Sequence, residues 1–308
     1  MFQPPPRVTA EVYARLPDVL QDASPSYWSR VQSGNPAIRS FLEGPSFDRS
    51  GALWVTDIPF GRLFRISADR EFELVFQYDG EPNGLKFHAD GRAFIADHRL
   101  GLLAFDPQRQ TLEVVLGRAE LDGFRGLNDL FFLEDGSLLF TDQGQTGLQD
   151  PTGRLFHCDP GGMPRLVLSN IPSPNGLVHD PRSNTVYLAV TRDNAIWRVP
   201  LRPNGQAGRT GRFIRMSGGI GPDGLAMDCE GNLAVCHPGL GAVWLFNRQG
   251  EPILRIDSPV GRMTTNCAFG GPQGRTLFIT ESETGVILSA ECPAPGVSLF
   301  SHEDRHEA

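Results

Sequence analysis

A unit of about 45 residues recurs six times along this 308-residue chain, and no other feature restricts the fold as strongly. Each copy opens with a polar residue followed by a short apolar run, at Glu43, Asn83, Asn128, Asn175, Asp223 and Asn266. Successive copies start 40 to 48 residues apart, which is the length of one four-stranded propeller blade. The repeat therefore predicts an all-β fold, a six-bladed β-propeller with a central channel, over residues 43–308.

Every copy shows the same order of strand and turn signals. An opening strand such as GLKF leads into a turn such as HADG or LEDG, where glycine accepts a positive φ. A second strand follows, for example ALWV or TVYLAV, rich in β-branched and aromatic residues. The 3.6-residue period of helices is absent from these segments, so a helical repeat is excluded.

Residues 1–42 do not match the repeat, and we treat them as an N-terminal extension. The stretch SPSYWSRVQSGNPAIRS predicts a short helix or a lid. The extension is also one of two candidate sources for the strand that closes the ring, the other being the C-terminus. The sequence leaves that choice open.

Charge and composition exclude several classes of partner. The formal net charge of −8 argues against a nucleic-acid binder, which needs a basic face. No stretch approaches the roughly 18 to 20 apolar residues of a membrane span, and the N-terminus lacks the pattern of a secretory signal. The five cysteines are odd in number and show no CxxC spacing. We therefore expect a reduced, cytoplasmic protein with neither nucleic-acid nor membrane partners.

The residues that open the six copies are the main candidates for chemistry. The first strand of each propeller blade lines the channel, so the openers should converge at one end. Glu43 and Asp223 are carboxylates, the other four are amides, and none is basic. Two buried negative charges among oxygen ligands would neutralise one divalent cation. Such ligands favour Ca²⁺, Mg²⁺ or Mn²⁺, with Zn²⁺ and Fe²⁺ also open. The competing explanation is that Asn and Asp only mark turns before strands.

Four openers lie in segments that resemble motifs of the gluconolactonase, senescence marker protein and regucalcin family of six-bladed propellers. EGPSFD resembles its E-G-P motif, SPNGL its S-N-G-L motif, PDGLAMDCEGNL its aspartate motif and LNDL its N-D-G segment. PFGRLFRI and ESETG are similar to a bacterial branch of that family. The resemblance implies that Glu43, Asn175 and Asp223 bind the metal, and that Asn128 binds the metal or contacts the substrate.

The resemblance also implies a reaction, the hydrolysis of a small lactone. Ca²⁺ is the first choice of cofactor, and Asp223 would serve as acid and base for a metal-activated water that attacks the carbonyl. Two alternatives stay open: an aryl-esterase-like hydrolase of the paraoxonase type, and a non-catalytic ligand-binding propeller. GxSxG is absent, which disfavours a serine nucleophile.

Five residues are candidates for substrate binding. Asn128 and Asn83 are channel openers. Family members that act on sugar lactones carry an arginine two residues before the asparagine of N-D-G, and Arg125 is the nearest arginine here, three residues before Asn128. His98 and His237 follow the second strands of their blades, where the alternative is a polar turn residue outside the channel.

Overall fold

The structure, a computed structural model, describes residues 4–22, 24–35, 37–117 and 123–302. Residues 1–3, 23 and 36 of the predicted N-terminal extension and residues 118–122 and 303–308 of the predicted propeller lie outside the described residues. Ahead of the first blade come strands β1 (Arg7–Thr9) and β2 (Glu11–Arg15) and helix α1 (Tyr27–Val31). Single 3₁₀ turns lie at Asp18–Leu20, Ile58–Phe60, Thr191–Asp193 and Phe300–His302.

Six antiparallel sheets follow in chain order, and each sheet is one blade. Their strands are β3–β6 (Leu42–Phe47, Leu53–Asp57, Arg62–Ile66, Phe72–Gln77), β7–β10 (Pro82–Phe87, Ala93–Asp97, Gly101–Asp106, Thr111–Gly117), β11–β14 (Leu127–Phe132, Leu138–Asp142, Gly153–Cys158, Arg165–Ile171), β15–β18 (Pro174–Asp180, Thr185–Val190, Ala195–Pro200, Gly211–Arg215), β19–β22 (Leu225–Met227, Leu233–His237, Ala242–Phe246, Pro252–Asp257) and β23–β25 (Thr264–Gly270, Thr276–Glu281, Val286–Glu291). The first strand of each sheet contacts the first strand of the next, and β23 contacts β3. The six-bladed propeller predicted from the repeat is thus confirmed.

The N-terminal extension completes the last two blades. Strand β2 pairs antiparallel with β25 and gives the sixth blade its fourth strand. Strand β1 pairs in parallel with β22 and adds a fifth strand to the fifth blade. The strand that closes the ring therefore comes from the N-terminus.

The core lies between the blades. Within the described residues there are six clusters of buried apolar side chains, one between each pair of neighbouring blades. Burial on both faces explains why the second strands, such as TVYLAV, are almost continuously apolar. Because neighbouring blades share a core, the ring holds the six first strands in fixed positions around the channel.

Buried carboxylates at the ends of second strands fasten the loops above the channel. Asp57 accepts the backbone N–H of Phe41 at 2.7 Å and pairs with Arg62. Asp142 accepts the N–H groups of Arg125 and Gly126 at 2.8 and 2.9 Å. Each fastened loop leads into a first strand, so these contacts position the residues that open those strands.

The C-terminal segment crosses the other end of the channel. The Val297 N–H donates to the Met227 carbonyl at 3.1 Å, and Phe300 stacks on Phe132 with ring centroids 5.5 Å apart. All five cysteines are unpaired. No helix among the described residues has the length and apolar character needed to cross a membrane.

Candidate functional site

A cavity of about 850 Å³ lies at one end of the channel. The chain brings five of the predicted openers together in its lining: Glu43, Asn83, Asn128, Asn175 and Asp223. They come from the first five blades, and they occupy the same position in each blade by strand register. With only 3% of its surface exposed, Glu43 is the most deeply buried of the five.

The sixth blade differs from the prediction, because Thr265 and not Asn266 holds the position of an opener. Asp129, one residue after the opener Asn128, donates its N–H to the Thr141 hydroxyl at 3.0 Å. Asn266 makes the same bond with Thr280 at the same distance. Asn266 therefore corresponds to Asp129. We call the five openers of the first five blades, together with Thr265, the upper ring: Glu43, Asn83, Asn128, Asn175, Asp223 and Thr265.

A second layer lies directly beneath the upper ring. Its members are the next residues along each first strand, and we call them the middle layer: Gly44, Gly84, Asp129, Gly176, Gly224 and Asn266. Side chains at two of these positions fill space left by the glycines. A Cβ added to Gly84 would strike the Asp129 carboxyl, and one added to Gly224 would strike the Asn266 amide. Gly84 and Gly224 thus make room for Asp129 and Asn266 in the channel, whereas Gly44 and Gly176 let the backbone of the next blade approach closely.

A third layer closes the channel below. It consists of the residues three positions after each opener, and we call it the lower layer: Ser46, Lys86, Phe131, Val178, Ala226 and Ala268. All six line one small cavity of about 40 Å³, together with Val297 and Leu299 of the C-terminal segment. Apart from Lys86 and Ser46, the lower layer is apolar.

The Glu43 carboxyl is held by backbone and amide donors. Its Oε2 accepts the N–H of Gly44 at 2.8 Å and the Nδ2 of Asn266 at 2.9 Å. Burial raises the pKa of Glu43 to about 7, in spite of these two donors, and the nearby Asp129 carboxylate raises it further. Glu43 is therefore held in place by neutral donors, but the positive charge around it is too small to offset its burial.

Asp223 faces the cavity, and there too the nearby positive charge is too small to offset the burial of the carboxyl. Burial, followed by the charges of Glu43 and Asp129, raises its pKa well above the usual range. The Asn175 Nδ2 donates to the Thr191 hydroxyl at 3.2 Å, and the same amide bonds to Asp223. These bonds engage the nitrogen of Asn175, which leaves its Oδ1 as an acceptor in the channel.

The donor set fits a hard divalent cation. No group of three or more His, Cys, Asp or Glu side chains in the described part of the chain could hold a metal, so any metal here needs amide oxygens as well. The carboxylates of Glu43 and Asp223 and the amide oxygens of Asn175 and Asn128 supply such a set. The raised pKa values of both carboxyls show that a positive charge would be stabilised among them.

Part of the N-terminal extension covers the mouth of the cavity. Trp28 of α1 packs on Phe41, with ring centroids 4.9 Å apart. Gln32 donates to the Glu81 carboxyl at 2.6 Å and accepts from the Gln145 amide at 3.1 Å. Gln32 therefore bridges the loops of the second and third blades above the upper ring.

The other predicted substrate residues separate into two groups. His98 lines the cavity and packs against Gly126, where an added Cβ would strike its imidazole. Arg125 is absent from the lining, since its guanidinium donates to the Thr152 carbonyl at 2.7 Å. His237 is also absent: it is buried, with Nε2 3.0 Å from the Gly218 carbonyl. His237 ends a second strand, where Asp57 and its equivalents fasten loops, so its position is that of a loop anchor.

Arg192 is a cavity residue that the sequence did not single out. It follows Thr191, whose hydroxyl also donates to the Pro222 carbonyl at 2.8 Å. Its charge lowers the pKa of Asp223 against the effect of burial. No ion pair with a described carboxylate engages it within 4 Å. The chain thus places a guanidinium in the cavity lining from the fourth blade, next to the third blade that Arg125 precedes.

Asp129 and Lys86 are channel residues that the sequence analysis did not predict, although each is unusual in the sequence. When the six copies are aligned by opener, Asp129 stands where four others carry glycine. Lys86 is the single lysine of the chain, and it lies inside a predicted strand. Arg192 leaves no such signal, because the chain holds 27 other basic residues and many of them lie in loops.

The chain is similar in sequence to a known family and to two known lactonases. The model of the SMP-30/Gluconolactonase/LRE-like region matches residues 41–283. A gluconolactonase of Zymomonas mobilis is 31% identical over 278 residues, covering 79% of this chain and 77% of the relative. A lactonase, drp35, of Staphylococcus epidermidis is 29% identical over 230 residues, covering 71% and 70%.

Solved structures show the same fold. A calcium-binding protein, regucalcin, of Agrobacterium tumefaciens superimposes with a TM-score of 0.76 at 23% identity. The match covers 97% of this chain and 98% of that one. The N-terminal extension and the closing strand therefore fall within the compared region, and the likeness extends over the whole propeller.

Proposed function

The chain belongs to the SMP-30/Gluconolactonase/LRE-like family, and from that premise we propose that it is a lactonase that binds one divalent cation in its upper ring. The observation that carries the proposal is the convergence of Glu43, Asn175 and Asp223 on the floor of the large cavity. Oxygen-only ligation and the flexible geometry that amides allow make Ca²⁺ the first choice. Mg²⁺ and Mn²⁺ share the preference for oxygen.

The proposed reaction adds water across the ring ester. A cation held by these oxygens supplies the positive charge that polarises the lactone carbonyl and stabilises its developing negative charge. Asp223, half-buried and facing the cavity, accepts a proton from the attacking water. The bond from the carbonyl carbon to the ring oxygen breaks, and the same proton passes to that oxygen. The product is a hydroxycarboxylic acid.

The cavity suits a polar substrate of moderate size. Amides of Asn83 and Asn128 make no hydrogen bond to any described side chain, so they are available to a ligand. Gln143 and Arg192 add further polar groups to the lining, and Trp28 and Ile58 add apolar surface. A hydroxylated lactone can satisfy such groups, which would otherwise lose water without a new partner.

The test is hydrolysis of a lactone panel by metal-stripped protein, with Ca²⁺, Mg²⁺, Mn²⁺, Zn²⁺ and Fe²⁺ restored one at a time. We expect turnover of at least one lactone to fall at least about 100-fold on chelation and to return with Ca²⁺. Aryl esters tested in parallel measure the activity expected of the alternative, an aryl-esterase-like hydrolase. Tight cation binding without turnover of any lactone or ester would contradict the proposed enzymatic activity and favour a non-catalytic ligand-binding propeller.

Replacing Arg192 by Ala is expected to raise KM for a hydroxylated lactone about tenfold, because a charge-assisted hydrogen bond to the substrate is lost. Steady-state kinetics measures the effect. Arg125→Ala is the matched control, since that guanidinium bonds to the Thr152 carbonyl outside the cavity. KM should change less than about twofold in the control. Equal effects of both substitutions would remove Arg192 from the substrate site.

A further inference from the structure

The single lysine of the chain lies in the central channel. Lys86 belongs to β7, the first strand of the second blade, and occupies the lower layer. Its neighbours there are apolar except for Ser46, whose buried hydroxyl has no hydrogen-bond partner among the described residues. Val297 and Leu299 cover the layer from below. Lys86 is half-buried and also lines a cavity of about 310 Å³ with Glu134 and Asp180, so its ammonium is only partly removed from water, and a negative charge in the channel would stabilise it there.

That negative charge lies one layer above. Asp129 belongs to the neighbouring blade, and Lys86 is the largest influence that lowers its pKa against burial. Lys86 acts on Glu43 in the same direction, ranking there behind the Gly44 and Asn266 donors. No carboxylate among the described residues comes within 4 Å of the ammonium, so its charge acts across the channel and not through a contact pair.

Asn266 links the two carboxyls of the channel. Its Nδ2 donates to Glu43 Oε2 at 2.9 Å, and its side chain also bonds to Asp129. Its Oδ1 accepts the Cys267 N–H at 2.8 Å, which fixes the amide. The position of Asp129 is thereby coupled to the position of Glu43 in the upper ring.

The channel holds more negative than positive side chains. Three carboxylates lie there, those of Glu43, Asp129 and Asp223, and the half-buried Lys86 is the channel cation that acts on Glu43 and Asp129. Arg192 acts on Asp223 from the cavity rim, where it is exposed and screened by water. The carboxylates and Lys86 together leave two negative charges in the channel, which match in magnitude the charge of one divalent cation.

We propose that Lys86 is a positioning residue whose ammonium compensates Asp129, so that Glu43 and Asp223 remain to match a single divalent cation. This inference rests on the proposed cation site. Without Lys86 the channel carries three negative charges, and it binds cations more tightly and prefers a trivalent one. Without Asp129 the uncompensated ammonium repels any cation in the upper ring.

The test is a double-mutant cycle on the metal-free full chain, with Ca²⁺ affinity from calorimetry and Tb³⁺ affinity from luminescence. Lys86→Met keeps the shape and removes the charge, and we expect Ca²⁺ Kd to fall about tenfold and Tb³⁺ Kd to fall further. Asp129→Asn should raise both Kd values about tenfold. The double variant should return within about threefold of the unchanged protein.

Folding controls separate charge from shape. Lys86→Arg keeps the charge and should hold Ca²⁺ Kd within about threefold, which a purely steric role for the lysine would not predict. Circular dichroism shows whether each variant is folded. Weakened binding in both single variants without recovery in the double variant would overturn the inference. If the unchanged protein binds neither cation, the cation site itself fails, and the inference falls with it.

Discussion

Replacing Asp223 by Asn is expected to lower kcat/KM for lactone hydrolysis at least about 10³-fold, the largest effect on activity that we anticipate. The amide keeps the size of the side chain but loses both functions proposed for the carboxylate. It no longer supplies a negative charge to the cation, and it can no longer accept a proton from water. Steady-state hydrolysis at saturating Ca²⁺ measures the combined loss.

A second substitution divides these two functions. Glu43→Gln removes a cation ligand but no proposed proton acceptor, so excess Ca²⁺ should recover part of its activity and none of the activity of Asp223→Asn. Asp79→Asn is the control, because that carboxyl is exposed and pairs with Arg99 on the surface. Wild-type turnover by either channel variant would refute the proposed site.

The propeller was predictable because the information that specifies it is local and repeated. Each blade carries its own strand pattern and its own turn glycines, and six weak signals at a fixed spacing reinforce one another. The family comparison confirms the resemblance on the same segments. The closing strand was not predictable in this way. Its pairing joins β2 to β25 across almost the entire chain, and both termini offered a candidate strand.

The sixth opener shows how a correct motif can be placed one residue off. Asn266 looks like the other openers in the printed sequence, and only strand pairing reveals that Thr265 holds their position. The first strands are irregular at this point, with a register shift in most blades that a linear pattern does not record. The consequence is chemical, because Asn266 lies between two carboxyls beneath the ring.

His237 and Arg125 illustrate a limit of another kind. The sequence placed His237 after a second strand and Arg125 three residues before Asn128, and in the fold these are the end of β20 and the loop before β11. Which way a side chain points depends on nearby carbonyl groups, and each of these residues bonds to one: Gly218 for His237 and Thr152 for Arg125. Such carbonyls are set by loop geometry, which the repeat pattern leaves undetermined.

The middle layer explains why the blades tolerate only glycine at four of six positions, and Gly176 provides the sharpest case. A Cβ at Gly176 would lie 2.6 Å from the Asp223 carbonyl oxygen, 2.7 Å from Gly224 Cα and 2.8 Å from Leu225 N. All three atoms belong to the backbone of the neighbouring blade, so no side chain can move aside. The fourth and fifth blades would have to separate, and they carry Asn175 and Asp223.

Gly176→Ala is therefore expected to lower the free energy of unfolding by about 3 kcal/mol, the upper end for an overpacked core, and to weaken Ca²⁺ binding about tenfold or more. Urea unfolding and calorimetry measure the two effects. Gly211→Ala is the matched control, since an added Cβ there meets no atom within 4 Å. Its stability should stay within about 0.5 kcal/mol of the unchanged protein. Equal stability of the two variants would mean that the blades can move apart freely, and the upper ring would then not be a preorganised site.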